Sequence, residues 1–237
     1  HVALPVRLPA IVPDPLSGCE SLSSTSLPQT LQTIRKGPFD GCNALTVITI
    51  PQSVTSIGTA ALTCSNLTQI DVATDNASFC SEDGVLFNKH KTELVCYPAG
   101  KRSSSYSVPD GVRVIREQAF RHAAQLTRIT IGQDVTTIRD GAFSGCIRLS
   151  GVTISNGLLS IRDGAFSGCS ALVRITIPAS VNALGSGLFD GCTSLARVTF
   201  HSAIGWAADG QSIDVTDPER NVTYLMQTYS AFPWTRR

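Results

Sequence analysis

The sequence predicts an α/β repeat solenoid dominated by β-structure, with a parallel sheet on one face and short turns or single helical turns on the other. Three observations support this fold class: cysteines recur every 22 or 23 residues, phenylalanines keep the same step, and a short apolar–polar–apolar core repeats between them. A fixed period of this size indicates stacked units, because one such coil cannot bury its apolar side chains alone. The cysteine column comprises Cys19, Cys42, Cys64, Cys146, Cys169 and Cys192, and the phenylalanine column comprises Phe120, Phe143, Phe166 and Phe189.

The best-preserved repeat spans residues 165–184 and has the skeleton A-F-x-G-C-x-x-L-x-x-I-x-I-P-x-x-V-x-x-I. Alternation in I-x-I predicts a short strand whose two apolar side chains point inward. Successive coils then pair these strands into one parallel sheet, while V-x-x-I and A-F-x-G-C return the chain on the opposite side. The inward pairs are Ile48/Ile50, Ile70/Val72, Ile129/Ile131, Val152/Ile154, Ile175/Ile177 and Val198/Phe200.

The pattern predicts a single solenoid across residues 1–237, with one irregular coil near its middle. Repeats occupy 1–72 and 106–200, separated by an irregular coil at 73–105. Within that coil, two apolar runs flank the polar turn Asn88–Lys91, which predicts a β-hairpin insert.

Residues 201–237 are predicted to form a C-terminal cap. Asp217, Pro218 and Glu219 are typical of a helix start, with an N-cap, a proline at the first helical position and an acid in the first turn. An apolar stripe follows, so we expect a helix over 217–230 that covers the last coil, with Trp206 and Trp234 sealing that end. The stripe is Val222, Leu225, Met226 and Tyr229.

The N-terminal residues fit the repeat columns but have no cap before them. An uncovered solenoid edge is an aggregation liability. We therefore expect a partner, a second copy or upstream repeats to cover this end. The residues concerned are Val2, Leu4, Leu8, Ile11 and Leu16.

The repeat resembles that of the BspA-like leucine-rich-repeat family, through Ile161–Leu172 and its neighbours. Asp83–Lys89 and Tyr229–Trp234 are also similar to segments of that family. The resemblance implies a right-handed leucine-rich-repeat horseshoe, no catalytic motif, and a surface or secreted protein that acts in adhesion to host or matrix proteins. The chain departs from the pattern at residues 61–62, which lack the phenylalanine, and at Ala123, which replaces the cysteine.

Charge and composition exclude several classes of function. With 19 basic and 18 acidic side chains, the chain lacks the basic excess needed for nucleic acid or an anionic membrane as main partner. It has no apolar run of the length that spans a bilayer. No catalytic residues, metal ligands or cofactors are predicted, because the four histidines are scattered and the repeat cysteines lack the C-x-x-C pairing of zinc sites. The histidines are His1, His90, His122 and His201.

The repeat cysteines are predicted to be a stack of buried, reduced thiols, since free cysteine is among the most buried residue types. Cys80 and Cys96 bracket the insert and fall outside the cysteine column. They are interpreted either as a disulfide or as two free thiols, and the sequence leaves both open. Three N-x-[ST] triplets, at Asn66, Asn76 and Asn221, are candidate glycosylation sites.

The candidate binding surface is the outward face of the parallel sheet, where a concave Thr/Arg surface can dock a partner. Arginine also suits acidic or hydrogen-bonding groups. The alternative is that threonine fills these positions because of its β-propensity and its cross-strand pairing. The predicted binding residues are Arg128, Arg174, Arg197, Thr130, Thr153, Thr176 and Thr199.

Two functions from different classes follow. The first is a non-enzymatic protein-binding module, adhesin-like, and extracellular or on the cell surface. The second is a structural accessory subunit of a larger protein assembly, bound through its solenoid ends, with an organelle lumen as the alternative location. An enzyme with an unrecognised site is a third hypothesis that no motif supports.

Overall fold

The computed structural model describes residues 23, 25–39 and 41–236, together with the backbone of residues 2–3 and 10–11; for residue 25 it describes the backbone alone. The chain divides into two compact units. The first comprises His1–Arg102 with Ala119–Ala123, and the second comprises Ser103–Gln118 with Ala124–Arg237. The continuity of one solenoid across both stays a prediction.

The first unit is built from short parallel strands and a three-stranded antiparallel insert. Parallel pairs join β1 to β3, β2 to β4 to β6, and β5 to β7. The insert has the order β8-β9-β10. The strands are β1 Val2–Ala3, β2 Ala10–Ile11, β3 Thr25–Ser26, β4 Thr33–Ile34, β5 Val47–Ile50, β6 Ser56–Ile57, β7 Gln69–Val72, β8 Phe79–Glu82, β9 Val85–Asn88 and β10 Glu93–Cys96.

The second unit repeats the same coil and ends in a helical cap. Its longer strands form a three-stranded sheet, β11-β13-β15, and a two-stranded sheet, β17-β19. On the opposite side, β12, β14, β16 and β18 are parallel, and β22, β20 and β21 continue that sheet antiparallel. The elements are β11 Ser105–Ser107, β12 Val114–Ile115, β13 Arg128–Ile131, β14 Thr137–Ile138, β15 Gly151–Ile154, β16 Ser160–Ile161, β17 Arg174–Ile177, β18 Ala183–Leu184, β19 Arg197–Phe200, β20 Trp206–Ala208, β21 Gln211–Ser212, α1 Pro218–Thr223 and β22 Trp234–Arg236.

The predicted fold class is confirmed, because paired strands in both units turn alternate apolar side chains inward. In β13, Ile129 and Ile131 are buried while Arg128 and Thr130 are exposed, which is the alternation that I-x-I predicts. The return turns stack their phenylalanines, with the rings of Phe143 and Phe166 5.1 Å apart. Stacked aromatic rings contribute beyond their buried area.

The cysteine column lies inside this core. The thiol of Cys169 donates to the carbonyl of Phe143 at 3.3 Å, and that of Cys192 donates to the carbonyl of Phe166 at 3.1 Å. Burial raises the pKa of Cys192 to about 11 and that of Cys169 further. The predicted burial is confirmed for Cys42, Cys64, Cys146, Cys169 and Cys192, while Cys19 lies outside the described residues.

The insert has three strands where the sequence predicted a hairpin. The predicted hairpin is β9 and β10, and an additional turn at Asp83 and Gly84 joins β8 to β9. Both turn residues have positive φ, +50° and +74°. That conformation matches the type I′ turns favoured in two-residue hairpins, and the Asp-Gly pair was the signal for it.

The open question about Cys80 and Cys96 is answered by strand order. Cys80 pairs with Phe87 and Cys96 with Leu86, so β9 lies between the two cysteines. Two strand spacings separate their Cα atoms by roughly 10 Å, and a disulfide spans less than about 7 Å. The possible disulfide is therefore wrong, and both residues are free thiols.

The cap helix begins where the sequence predicts it, but it is shorter than predicted and changes from an α-helix to a π-helical turn. The Asp217 side chain accepts hydrogen bonds from the backbone N–H of Glu219 and Arg220, which confirms the N-cap. After Thr223 the chain continues as a π-helical turn, Tyr224–Thr228. This widening leaves Leu225 the buried member of the predicted stripe, with the other three half-buried. Trp206 and Trp234 are both buried, as expected.

Candidate binding face

The outward side chains of β11, β13 and β15 surround a depression in the second unit. Register places Arg128 between Ser105 and Gly151, and Thr130 between Ser107 and Thr153. These side chains stand away from the core because alternate residues of a strand point to opposite faces. The depression has a volume of about 290 Å³, and its lining is Ser105, Tyr106, Ser107, Arg128, Ile129, Thr130, Gly151 and Thr153.

Gly151 interrupts the arginine column at this depression. A Cβ at position 151 would lie 3.0 Å from Cγ of Arg128, so the stem of Arg128 crosses the space that a larger residue would fill. A contact this close favours glycine, and the stem in turn rests on its backbone. Arg128 thus lines the depression and remains exposed.

The other predicted arginines lie on β17 and β19. Arg174 pairs with Arg197, and Thr176 pairs with Thr199. Arg197 approaches Glu219 of the cap, with Nη2 and Oε1 3.8 Å apart. Arg128 and Arg174 form no ion pair with any residue that the structure describes.

A break separates these two groups of predicted residues, because β15 and β17 belong to different sheets. At the end of the neighbouring strands, Ser155 N–H donates to Ile131 and His201 N–H donates to Ile177. Pro178 occupies the same position after β17 and has no N–H to donate. The same arrangement recurs in the first unit, where Pro51 follows β5 and β5 is not paired with β3.

The break partly exposes the inward pair of β15. Val152 and Ile154 are half-buried, whereas the corresponding Ile129 and Ile131 are 2% and 0% exposed. The structure thus brings Arg128, Thr130 and Thr153 together around the depression, and places Arg174, Thr176, Arg197 and Thr199 on the next sheet. We call these seven residues, with Ser105, Ser107 and Gly151, the cationic face.

A scan against family models finds the BspA-type leucine-rich-repeat region in six copies, over residues 1–88 and 96–206. The chain belongs to the BspA-type leucine-rich-repeat family. Among solved structures it is similar to the pneumococcal vaccine antigen PcpA, with 26% identity and a TM-score of 0.75 over 84% of this chain and 50% of that one. It is also similar to a leucine-rich cell surface protein of Faecalibacterium prausnitzii A2-165, with 29% identity and a TM-score of 0.69 over 90% of this chain and 62% of that one.

The BspA-type chain thus spans about half to three fifths of the length of these two relatives. No curated protein sequence matches it. Across the described ranges, no cluster of three or more histidine, cysteine, aspartate or glutamate side chains could hold a metal ion. Nor does any helix there have the length and apolar character needed to cross a bilayer.

Two of the three candidate glycosylation asparagines have structural roles in this BspA-type fold. Asn76 is fully buried; its amide donates to the carbonyls of Pro51 and Val54, and its oxygen accepts from the N–H of Ser78 and Phe79. The sequence did not predict these contacts, because an N-x-[ST] triplet indicates an asparagine at the protein surface.

Asn221 is also fully buried and donates to the carbonyls of Val198 and Val215. Asn66 is exposed. In the folded protein, Asn66 is therefore the accessible member of the three.

Proposed function

We propose that this chain is a non-enzymatic protein-binding module, adhesin-like in role, which acts outside the cell or on its surface and binds through the cationic face. The observation that carries the proposal is an open sheet face with a depression and two arginines, Arg128 and Arg174, that no described side chain neutralises. Arginine is enriched at protein interfaces and at their energetic hot spots.

The composition of the depression supports binding rather than catalysis. Its lining offers one guanidinium and four hydroxyl side chains besides Tyr106, with no carboxylate, imidazole or thiol to act as a general base. Hydroxyls and a guanidinium suit hydrogen bonding to a partner surface. The pneumococcal antigen and the cell surface protein that resemble this chain support a surface location.

A structural subunit bound through its ends is the second candidate, and one observation favours it. Ile204 is 83% exposed and Phe232 is 37% exposed, both in the cap region of the second unit. Contact with a partner would remove these apolar side chains from water, which is favourable. Of the N-terminal edge that the sequence predicts as a second contact, the structure describes the backbone of Val2 and Ile11 and no side chain.

The test is to recover partners by native affinity purification and mass spectrometry, and then to measure the dissociation constant of each with purified variants. Thr153→Trp fills the depression from an exposed strand position and should weaken binding at least about tenfold, which is about 1.4 kcal/mol. Thr193→Trp is the matched control, since Thr193 is exposed in a return turn.

The two candidate functions give opposite results in this experiment. Binding through the cationic face predicts loss with Thr153→Trp and retention with Ile204→Asp and Phe232→Asp. Binding through the cap end predicts the reverse. If none of the three variants changes affinity, the cationic face is not the binding surface.

A further inference from the structure

We propose that the depression beside Gly151 binds a side-chain carboxylate from an acidic segment of the partner protein, with Arg128 as its main donor. This inference rests on the proposed function, and it adds the chemistry of the group that the face recognises.

Charge on the face supports an acidic occupant. The outward residues of β11, β13, β15, β17 and β19 include three arginines and no acid. Glu219 of the cap approaches Arg197, so one of the three cations has a counter-charge within the chain. The other two arginines, Arg128 and Arg174, form no ion pair with any described residue.

Geometry makes Arg128 the better of these two donors. Its stem lies against Gly151, so the side chain is ordered before a partner arrives and loses less conformational freedom on binding. A guanidinium presents two parallel N–H groups that match the two oxygens of a carboxylate. The same pair of donors would oppose the NH₂ of an amide, which favours glutamate or aspartate over glutamine or asparagine.

The hydroxyls around Arg128 complete the set of donors. Ser105 and Ser107 line the depression from β11, Thr130 from β13 and Thr153 from β15. Each hydroxyl can rotate to donate to a carboxylate oxygen. No residue of the lining is an acid that would repel the bound group.

Position 151 lines the depression without a side chain of its own, and the stem of Arg128 lies against it. The flanking positions of its column carry serine and arginine side chains, Ser105, Arg128, Arg174 and Arg197, while position 151 carries none. Arg174 lies one coil beyond Gly151 and adds a second cation to this face.

The experiment uses the full chain and a defined probe. A hexapeptide that alternates glutamate with serine, blocked at both ends, is titrated into ¹⁵N-labelled protein and followed by NMR. We expect saturable shifts at the backbone N–H of Gly151 and Thr153 and at Nε–H of Arg128. The glutamine counterpart of the peptide should bind at least about tenfold more weakly, since hydrogen bonds to charged groups are the stronger ones.

Two variants test whether peptide binding depends on this site or on general charge attraction. Arg128→Gln should weaken the glutamate peptide at least about tenfold, whereas Arg162→Gln, the same change at an exposed position beyond β16, should leave it unchanged. Circular dichroism and melting temperature establish that each variant is folded. Equal binding of both peptides, equal loss with both variants, or shifts away from Gly151 would overturn the proposal.

Two further results distinguish this inference from the proposed function. If Thr153→Trp abolishes partner binding while Arg128→Gln does not, the face binds a partner but no carboxylate at Arg128. If a sulfated disaccharide shifts Gly151 and Thr153 and the glutamate peptide does not, the depression recognises a glycan, and the acidic-protein proposal is wrong.

Discussion

The two units use the same paired strands but present different outward faces. In the first unit, Gln69 Nε2 donates to Asp71 Oδ1 at 2.7 Å, and the insert approaches this strand closely enough for Ile70 N–H to donate to the carbonyl of Gly84. In the second unit, the face around Arg128 is open and forms a depression. The repeat therefore supplies a surface, and the elements beside it decide whether that surface is available for a partner.

The largest expected effect comes from reversing the charge of the second unit's outward face. Replacing Arg128 and Arg174 together with glutamate should weaken binding of a recovered partner at least about a thousandfold, because each reversal replaces attraction with repulsion. Asp71→Ala, on the first unit's face, should change affinity less than about twofold. Titration calorimetry with both variants measures this. A comparable loss from Asp71→Ala would place the contact on the first unit.

A second comparison concerns the buried asparagines that end the repeats of each unit. Asn76 makes four hydrogen bonds to backbone groups, and Asn221 donates two while its Oδ1 is buried without a partner. Asn76→Ala leaves four backbone groups without their hydrogen-bond partner and should lower the free energy of unfolding by about 3 kcal/mol, with about 2 kcal/mol expected for Asn221→Ala.

Urea denaturation measures both asparagine variants, with the exposed Asn66→Ala as control, expected to change stability by about 0.5 kcal/mol or less. Equal losses for Asn76→Ala and Asn221→Ala would mean that the number of hydrogen bonds does not set the cost.

Thiol reactivity should separate Cys80 of the insert from the core cysteines of the second unit. The thiolate is the reacting form, so at pH 8 a thiol whose pKa is raised to about 11, as for Cys192, has roughly one molecule in a thousand ionised. Cys80 is half-buried; burial raises its pKa, and the positive charges of Lys91 and Lys89 oppose that effect. We expect Cys80 to be the first of these to be alkylated, counted by mass spectrometry.

Denaturant should expose Cys169 and Cys192 together, as expected of thiols in one cooperative core. Raising the pH toward their pKa values increases the thiolate fraction but not access, so slow labelling should persist in the folded protein. Labelling of Cys169 before Cys80 would contradict the burial of Cys169 in the core.

Most of the fold follows from the period, whereas much of the site depends on contacts that the period does not encode. A constant step of 23 residues aligns Ile129 with Val152, so register and core could be predicted. The pairing of Arg197 with Glu219 joins residues from separate elements, and no local pattern signals it. Pro178 could have predicted the separation of β15 from β17, because proline has no backbone N–H to donate to a neighbouring strand.

The smallest predicted effects compare one turn position between the units. Ala60 in the first unit and Gly164 in the second both adopt left-handed backbone conformations, with φ of +55° and +58°. Such a conformation costs an L-residue roughly 1 kcal/mol, and glycine adopts it freely. Ala60→Gly should therefore stabilise the protein by about 0.5 kcal/mol, because part of the gain is offset by the greater freedom of glycine in the unfolded chain.

Gly164→Ala is the reverse change, and the same balance of terms predicts a cost of about 0.5 kcal/mol. A Cβ there finds its nearest neighbour, Cβ of Ser167, 3.8 Å away, so steric overlap contributes nothing and the backbone alone is tested. Thermal denaturation of the two variants measures whether each substitution stabilises or destabilises the protein. If both substitutions destabilise the protein, the two turns differ in their packing, and the common repeat conformation does not set their stability.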